Sequence, residues 1–381
     1  MAASACHTAQ VNSRDMTGTI KRQAKLADGR QLFYFDDAES ALPAERKPDL
    51  RNLGQRPAVA QMRLDSLTGE WVSIAAARDG RAFLPPVEKC PLCPTTAGNQ
   101  SEIPDQFDVA IFENKSPSFG PNLLATADPN YSMVPNLALG STRDSVGRCE
   151  VVVFSSNHEG SLGQMPTTRV RTIIDALADR TEELSSMPGV QQVFPFENRG
   201  EEIGVTLHHP HGQIYAYPFV TPRTKKLMES IRAYGPNLFQ DTLDFERASE
   251  RVLISGEHFT AFVPFAARWP IEIHLLPHRH VQNITQLDDA ERDELSEIYS
   301  KCLAALDKVY NSPTPYIAAW HQAPLIDGAE KVRLQIQITS PRRAADKLKY
   351  LAGSESAMGA FIADFAPERT AETLRAAISK L

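Results

Sequence analysis

Residues 204–214 read Gly204-Val205-Thr206-Leu207-His208-His209-Pro210-His211-Gly212-Gln213-Ile214, the densest concentration of chemically active side chains in the sequence. In an extended chain, alternate side chains point the same way, so His209, His211 and Gln213 would share one face. Pro210 has no N–H to give to a strand ladder, which assigns the segment to a strand end or an edge. An imidazole projected there has an unperturbed pKa of roughly 6.5 and is a competent nucleophile at physiological pH. Its attack on phosphorus would give a phosphoramidate-like intermediate and split one hard transfer into two easier ones. The same residues also read as a metal-binding or hydrogen-bonded histidine pair, and the segment by itself leaves both readings open.

Working outward, Val190-Gln-Gln-Val-Phe-Pro-Phe196 reads as a strand, followed by a glycine-containing loop and an extended stretch from Val205 to Tyr217. Glu150-Val-Val-Val-Phe154 is a buried strand by its β-branched run. Thr167 to Ser186 carries Val170, Ile173, Ile174 and Leu177 at helical spacing and ends near Pro188-Gly189. Further upstream, Met62 to Ile74 reads as strand, turn, strand, and Asp28-Gly29 before Gln31–Phe35 marks a short hairpin. The second half repeats the order loosely. Strands at 259–263 and 271–276 precede a helix from Leu287 to Tyr310, which Asp288 or Asp289 is placed to cap. Strands at 316–320 and 332–338 follow, then a short helix over 371–381. Strands outnumber helices in mixed order, which predicts an α+β fold with two similar halves. We expect an N-terminal extension over 1–60, a first domain over 61–222 and a second over 223–381, with residues 1–18 disordered.

The chain has 381 residues, 42% of them hydrophobic and 23% charged, enough for a large core without disulfides. Its formal net charge is -7 and no basic stripe occurs, which argues against nucleic acid as a partner. No apolar run of about 18 residues and no leader-like h-region are present, so neither a membrane partner nor export is expected, and the cytoplasm is the expected location. The five cysteines, Cys6, Cys90, Cys93, Cys149 and Cys302, do not form a disulfide pattern. Cys90-Pro-Leu-Cys93 suits one side of a tetrahedral zinc site, a redox pair or two buried thiols.

His209-Pro210-His211-Gly212-Gln213, with Phe196-Glu-Asn-Arg-Gly200 upstream, resembles the active-site signature of the galactose-1-phosphate uridylyltransferases, a branch of the histidine triad superfamily. The resemblance runs from about residue 61 to 375 and implies two histidine-triad-like halves, each a mostly antiparallel sheet with packed helices. It implies that His211 takes UMP from UDP-glucose, releasing glucose 1-phosphate, and passes it to galactose 1-phosphate in a ping-pong reaction. Gln213 stands where hydrolytic relatives have a third histidine. A neutral amide hydrogen-bonds a phosphoryl oxygen but does not move protons for water, which suits transfer over hydrolysis. Two other readings stand beside this one. The first is an adenylyl-transferring sugar-nucleotide or dinucleoside-polyphosphate phosphorylase of the same superfamily. The second is a non-catalytic zinc- and nucleotide-binding protein.

By the same resemblance, Arg78 and Arg81 bind phosphate, and Asn114 belongs to the loop that cradles the nucleoside. Asn198, Gly204 and Thr206 contact the nucleotide phosphates. Leu207 and His208 replace the usual Asn-Pro. Lys349, Tyr350 and Glu355 match the hexose-phosphate segment, which in the family comes from the neighbouring subunit and implies a homodimer with shared active sites. Ser354 and Phe361 depart from the family's tyrosine and glutamine and leave sugar choice open. His158 and His209 complete a structural Zn2+ site with Cys90 and Cys93. A second metal, held in some members by a glutamate and three histidines, is expected to be absent: His321 remains, but Gln335, Gln337 and Leu227 stand at the other positions. His274, His278 and His280 are expected to be structural.

Overall fold

β-Branched and aromatic runs become strands, and the longer apolar stripes become the helices that cover them. The computed structural model describes residues 18–54, 60–75, 84–120 and 139–381. Along the chain, a hairpin of β1 (Ile20–Lys25) and β2 (Gln31–Asp36) leads to β3 (Gln61–Asp65), β4 (Glu70–Ile74), β5 (Val109–Glu113), β6 (Thr142–Asp144) and β7 (Arg148–Val153). The helix α1 (Thr167–Ser185) precedes β8 (Gln192–Arg199) and β9 (His211–Tyr217). Then come α2 (Pro222–Tyr234), α3 (Leu238–Arg247), β10 (Val252–Ser255), β11 (Phe259–Phe262) and β12 (Ile271–Pro277). The chain finishes with α4 (Asp289–Val309), β13 (Tyr316–His321), β14 (Gln335–Ser340), β15 (Arg342–Ala344), β16 (Lys347–Leu348), α5 (Gly353–Met358) and α6 (Pro367–Ile378).

Eleven of these strands form one sheet, in the order β1-β2-β5-β7-β9-β8-β13-β14-β12-β11-β10. Its strand pairs are antiparallel throughout. The order exposes an internal repeat. Outward from the β8–β13 seam, one side runs β8, β9, β7, β5 and the other β13, β14, β12, β11, with α1 and α4 at matching places in the chain. The fold is α+β as the sequence predicts, and the two halves share one sheet, joined edge to edge where Glu197 faces Ala318 and Phe196 faces Ala319.

The largest core lies between this sheet and α1 and α4, filled by residues such as Val152, Ile173, Ile174, Ile214, Leu295, Leu303 and Ile338. A capping box between Asp288 and Glu291 starts α4, with each backbone N–H answered by the other's carboxylate at 2.9 Å. The opposite sheet face is partly covered by the small sheet β4-β3-β6, whose Met62 packs with Phe119 and Cys149 and against Tyr215 and Tyr217. Two helices that the sequence pattern did not single out, α2 and α3, pack Ile231, Phe239 and Leu243 against Phe262 and Leu276.

Because α4 closes the core of both halves, truncating it should weaken the whole chain. Leu303 is 1% exposed within that core. Leu303→Ala is expected to cost about 2–5 kcal/mol in urea denaturation, with one shared transition for the two halves.

Candidate active site

The extended stretch anticipated from Val205 to Tyr217 is shorter in the structure. Residues 204–210 are irregular and β9 begins only at His211, immediately after Pro210. His209 therefore does not share an alternating face with His211 and Gln213. Its side chain is fully buried and turns toward the cysteines. His211 and Gln213 keep the common face expected of alternate strand residues, with Gly212 directed to the other.

Cys90, Cys93, His158 and His209 bring one ligand atom each to within 4.8 Å of all the others. Cys93 Sγ lies 3.4 Å from Nδ1 of both histidines, and Cys90 Sγ lies 3.7 Å from His209 Nδ1. Bond lengths of about 2.3 Å to sulfur and 2.05 Å to nitrogen give a tetrahedron an S···N edge of about 3.6 Å. These residues thus fit a four-coordinate zinc. Nε2 of His209 donates to the Ser155 carbonyl at 2.7 Å, which leaves Nδ1 as the lone-pair nitrogen facing the sulfurs. Burial lowers the His209 pKa to about 4, keeping the ring neutral as a ligand must be. Burial and the adjacent Cys90 sulfur push the Cys93 thiol up to about 12, an environment that yields a thiolate only against a cation.

The same turn orients the second histidine. His211 Nδ1 donates to the His209 carbonyl at 2.7 Å, so the lone pair resides on Nε2. Burial lowers the His211 pKa below the ordinary histidine value, against the smaller opposing effect of that carbonyl. Across the ladder Phe196 pairs with Gln213 and Glu197 with Gly212, and one further step sets Asn198 opposite His211. Gly204 ends the short helical turn Glu201–Ile203. Thr206 accepts Leu84 N–H at 2.8 Å, which brings the chain just after residue 83 beside the loop. Arg78 and Arg81 lie outside the described residues.

Asn114 follows β5, and its side-chain oxygen accepts Ser116 N–H at 3.0 Å in a local turn. The C-terminal residues form a group of their own. Lys349 pairs with Glu355 at 3.4 Å and also donates to the Ile362 carbonyl, both side chains being buried, while Tyr350 is exposed. Within one chain their charged groups thus satisfy each other.

Comparison with known proteins decides the family. The family model for the galactose-1-phosphate uridyl transferase N-terminal domain matches residues 51–221, and that for the C-terminal domain matches 224–379. A galactose-1-phosphate uridylyltransferase of Streptomyces lividans is 43% identical over 80% of this chain and 81% of that protein. One from Thermotoga maritima is 34% identical over 83% and 98%. The chain belongs to the galactose-1-phosphate uridylyltransferase family. It is accordingly an enzyme, a nucleotidyltransferase. A solved uridylyltransferase structure with 31% identity superposes at a TM-score of 0.73 over 84% of this chain and 99% of that one. An ADP-glucose phosphorylase structure from Arabidopsis thaliana, 23% identical with a TM-score of 0.63 over 84% and 98%, shares the fold.

The corresponding strands of the second half carry a hydrogen-bonded network of histidines, glutamines and a glutamate. His321 Nε2 donates to Gln337 Oε1 at 3.1 Å, and Gln337 donates to Glu272 at 2.7 Å. His274 bonds Glu272 at 2.8 Å and accepts from Gln335 at 2.9 Å. Gln337 thus engages both its polar atoms and Gln335 its nitrogen, and Leu227 on α2 is apolar and packs into the adjoining cluster. Two amides and a leucine are poor transition-metal ligands at these positions. His278 is tied to Thr260 and the Glu257 carbonyl, and His280 to the Glu330 carbonyl. The residue that sequence reasoning passed over is Glu197, a buried carboxyl that alternates along β8 with Val193, Pro195 and Arg199.

A Cβ on Gly212 would meet the Phe196 carbonyl oxygen and Phe154 Cζ, each at 2.9 Å. Gly212→Ala is therefore expected to lower stability by about 1–3 kcal/mol in denaturant melts and to reduce transfer activity by misplacing His211 and Gln213.

Proposed function

We propose that this enzyme transfers UMP from UDP-glucose to galactose 1-phosphate through a uridylyl group held on Nε2 of His211. The observation that carries the reading is the 2.7 Å hydrogen bond from His211 Nδ1 to the His209 carbonyl, which fixes the tautomer and leaves the Nε2 lone pair beside Gln213. That lone pair forms the N–P bond while the bond from the α-phosphorus to glucose 1-phosphate breaks, its electron pair leaving with the sugar phosphate. An oxygen of galactose 1-phosphate then forms the new P–O bond, and the electrons of the N–P bond return to Nε2. No proton need move at the leaving oxygen, because a sugar phosphate is stable as an anion; Gln213 serves by hydrogen-bonding a phosphoryl oxygen.

Asn198, Gly204 and Thr206 are the phosphate contacts in this reading, with Arg78 and Arg81 neutralising charge and Asn114 beside the nucleoside. Cys90, Cys93, His158 and His209 hold a structural zinc, and we assign no second metal. Zinc bound there supplies rigidity to the turn before β9 and no chemistry at phosphorus. Lys349, Tyr350 and Glu355 serve the sugar phosphate, in a homodimer whose subunits share active sites. The domain division at 222–223 and a cytoplasmic location belong to the same proposal; among the described residues, no helix is long and apolar enough to cross a membrane.

The reading predicts that labelled glucose 1-phosphate exchanges into UDP-glucose without any galactose 1-phosphate, and that His211→Ala lowers this exchange by about three orders of magnitude or more. Exchange into ADP-glucose in its place would move the enzyme to adenylyl transfer. Metal analysis should find about one zinc per chain, and Cys93→Ala should lose it together with thermal stability. Full zinc content in that variant would remove these residues from the site.

A further inference from the structure

Glu197 lies on the face of β8 turned away from His211, in register with Gly212 on one side and Ala318 on the other. It is 5% exposed. The Tyr316 hydroxyl donates to its Oε1 at 2.9 Å, whereas Oε2 has no partner among the described residues. A buried carboxyl oxygen without a partner is unfavourable, so polar atoms in such places are answered by protein or by ordered water. A cavity of about 20 Å³ adjoins Glu197; most of its walls are apolar, among them Val152, Phe154, Ile174 and Leu177, and Gly212, Tyr299 and Trp320 also border it. That exceeds the roughly 10–15 Å³ one water requires.

We propose that Glu197 is a positioning residue for the transfer reaction, its carboxyl group and one internal water bracing the back of β8 and β9 behind Asn198, Gly212 and Gln213. The inference rests on the transferase reading for its kinetic consequences, though not for the water. The surroundings make the carboxyl a proton holder. Tyr316 faces it from β13, Tyr299 from α4, and Arg199 from β8, the last already paired with Asp307 at 2.7 and 3.0 Å. The α1 side chains bounding the cavity, Val170, Ile173, Ile174 and Leu177, carry no charge. Burial raises the Glu197 pKa to about 7, opposed by the Tyr316 hydrogen bond and by Arg199. Below that value the carboxyl is neutral, and above it an anion stands behind a site that receives a diphosphate. UDP-glucose should therefore bind less well as pH rises through neutrality.

The test measures exchange of glucose 1-phosphate with UDP-glucose from about pH 6 to 8.5 in the wild type, Glu197→Gln, Glu197→Leu and Tyr316→Phe. Glu197→Gln keeps the shape and cannot ionise. It should retain kcat within about twofold and flatten the rise of KM above neutral pH. Glu197→Leu should lower kcat about tenfold or more while remaining folded, and Tyr316→Phe should shift the pH profile. Wild-type kinetics in Glu197→Leu, or an unchanged pH profile in Glu197→Gln, would overturn the proposal. A high-resolution crystal structure reads the water independently of activity. Density within about 3 Å of Glu197 Oε2 supports the assignment, and its absence overturns it. Failure of exchange in the wild type, with the water present, would instead count against the transferase reading.

Discussion

One peptide carbonyl links the cysteine–histidine cluster to His211 at the start of β9. His209 sends its imidazole into Cys90, Cys93 and His158, and its main-chain oxygen accepts the Nδ1 proton of His211. Any loosening of the cluster would move that carbonyl, and with it the tautomer and direction of the neighbouring ring. Pro210 between the two histidines removes one N–H from the turn, and the strand ladder begins directly after it. A cluster whose members lie more than fifty residues apart in sequence (from Cys93 to His158, then to His209) thus adjoins the carbonyl that orients a single nitrogen.

The long sheet supplies the stiffness behind this arrangement. Repetition of the same strand order on both sides of the β8–β13 seam places β9 next to the centre, away from either edge. The two halves have diverged at the equivalent strands. At the start of β9 stand His211 and Gln213; at the start of β14 stand Gln335 and Gln337, engaged with His274, Glu272 and His321. One half presents an imidazole lone pair, while the other consumes its polar atoms internally. Behind the seam, Tyr316 reaches from the second half to Glu197 of the first, and Arg199 to Asp307, so the strand carrying Asn198 is anchored to both.

Much of this was legible in the sequence because the deciding signals are local. The β-branched run at 150–154, the stripe from Val170 to Leu177 and the Asp288 cap lie within single elements, and the structure has elements there. The histidine segment gave its chemistry by residue type. What local periodicity misjudged was His209, because an alternation rule assumes a continuous strand and a metal-like cluster bends the chain out of one. Helices α2 and α3 were invisible for a different reason. Leu227, Met228 and Ile231 form a sparse stripe whose value comes largely from residues distant in sequence, among them Phe262, Leu276 and Val332. Glu197 looks like an ordinary charge until tertiary burial gives it neighbours.

The central claim is that a single ring nitrogen carries the uridylyl group, and intact-protein mass spectrometry tests it most directly. Wild-type protein incubated with UDP-glucose alone should gain the mass of one uridylyl group per chain, in an acid-labile bond, and lose it when galactose 1-phosphate is added. His211→Asn, which keeps the hydrogen bond to the His209 carbonyl within reach but has no Nε2, should gain nothing. An unmodified wild type, or a His211→Asn protein that still acquires the group, would contradict the account.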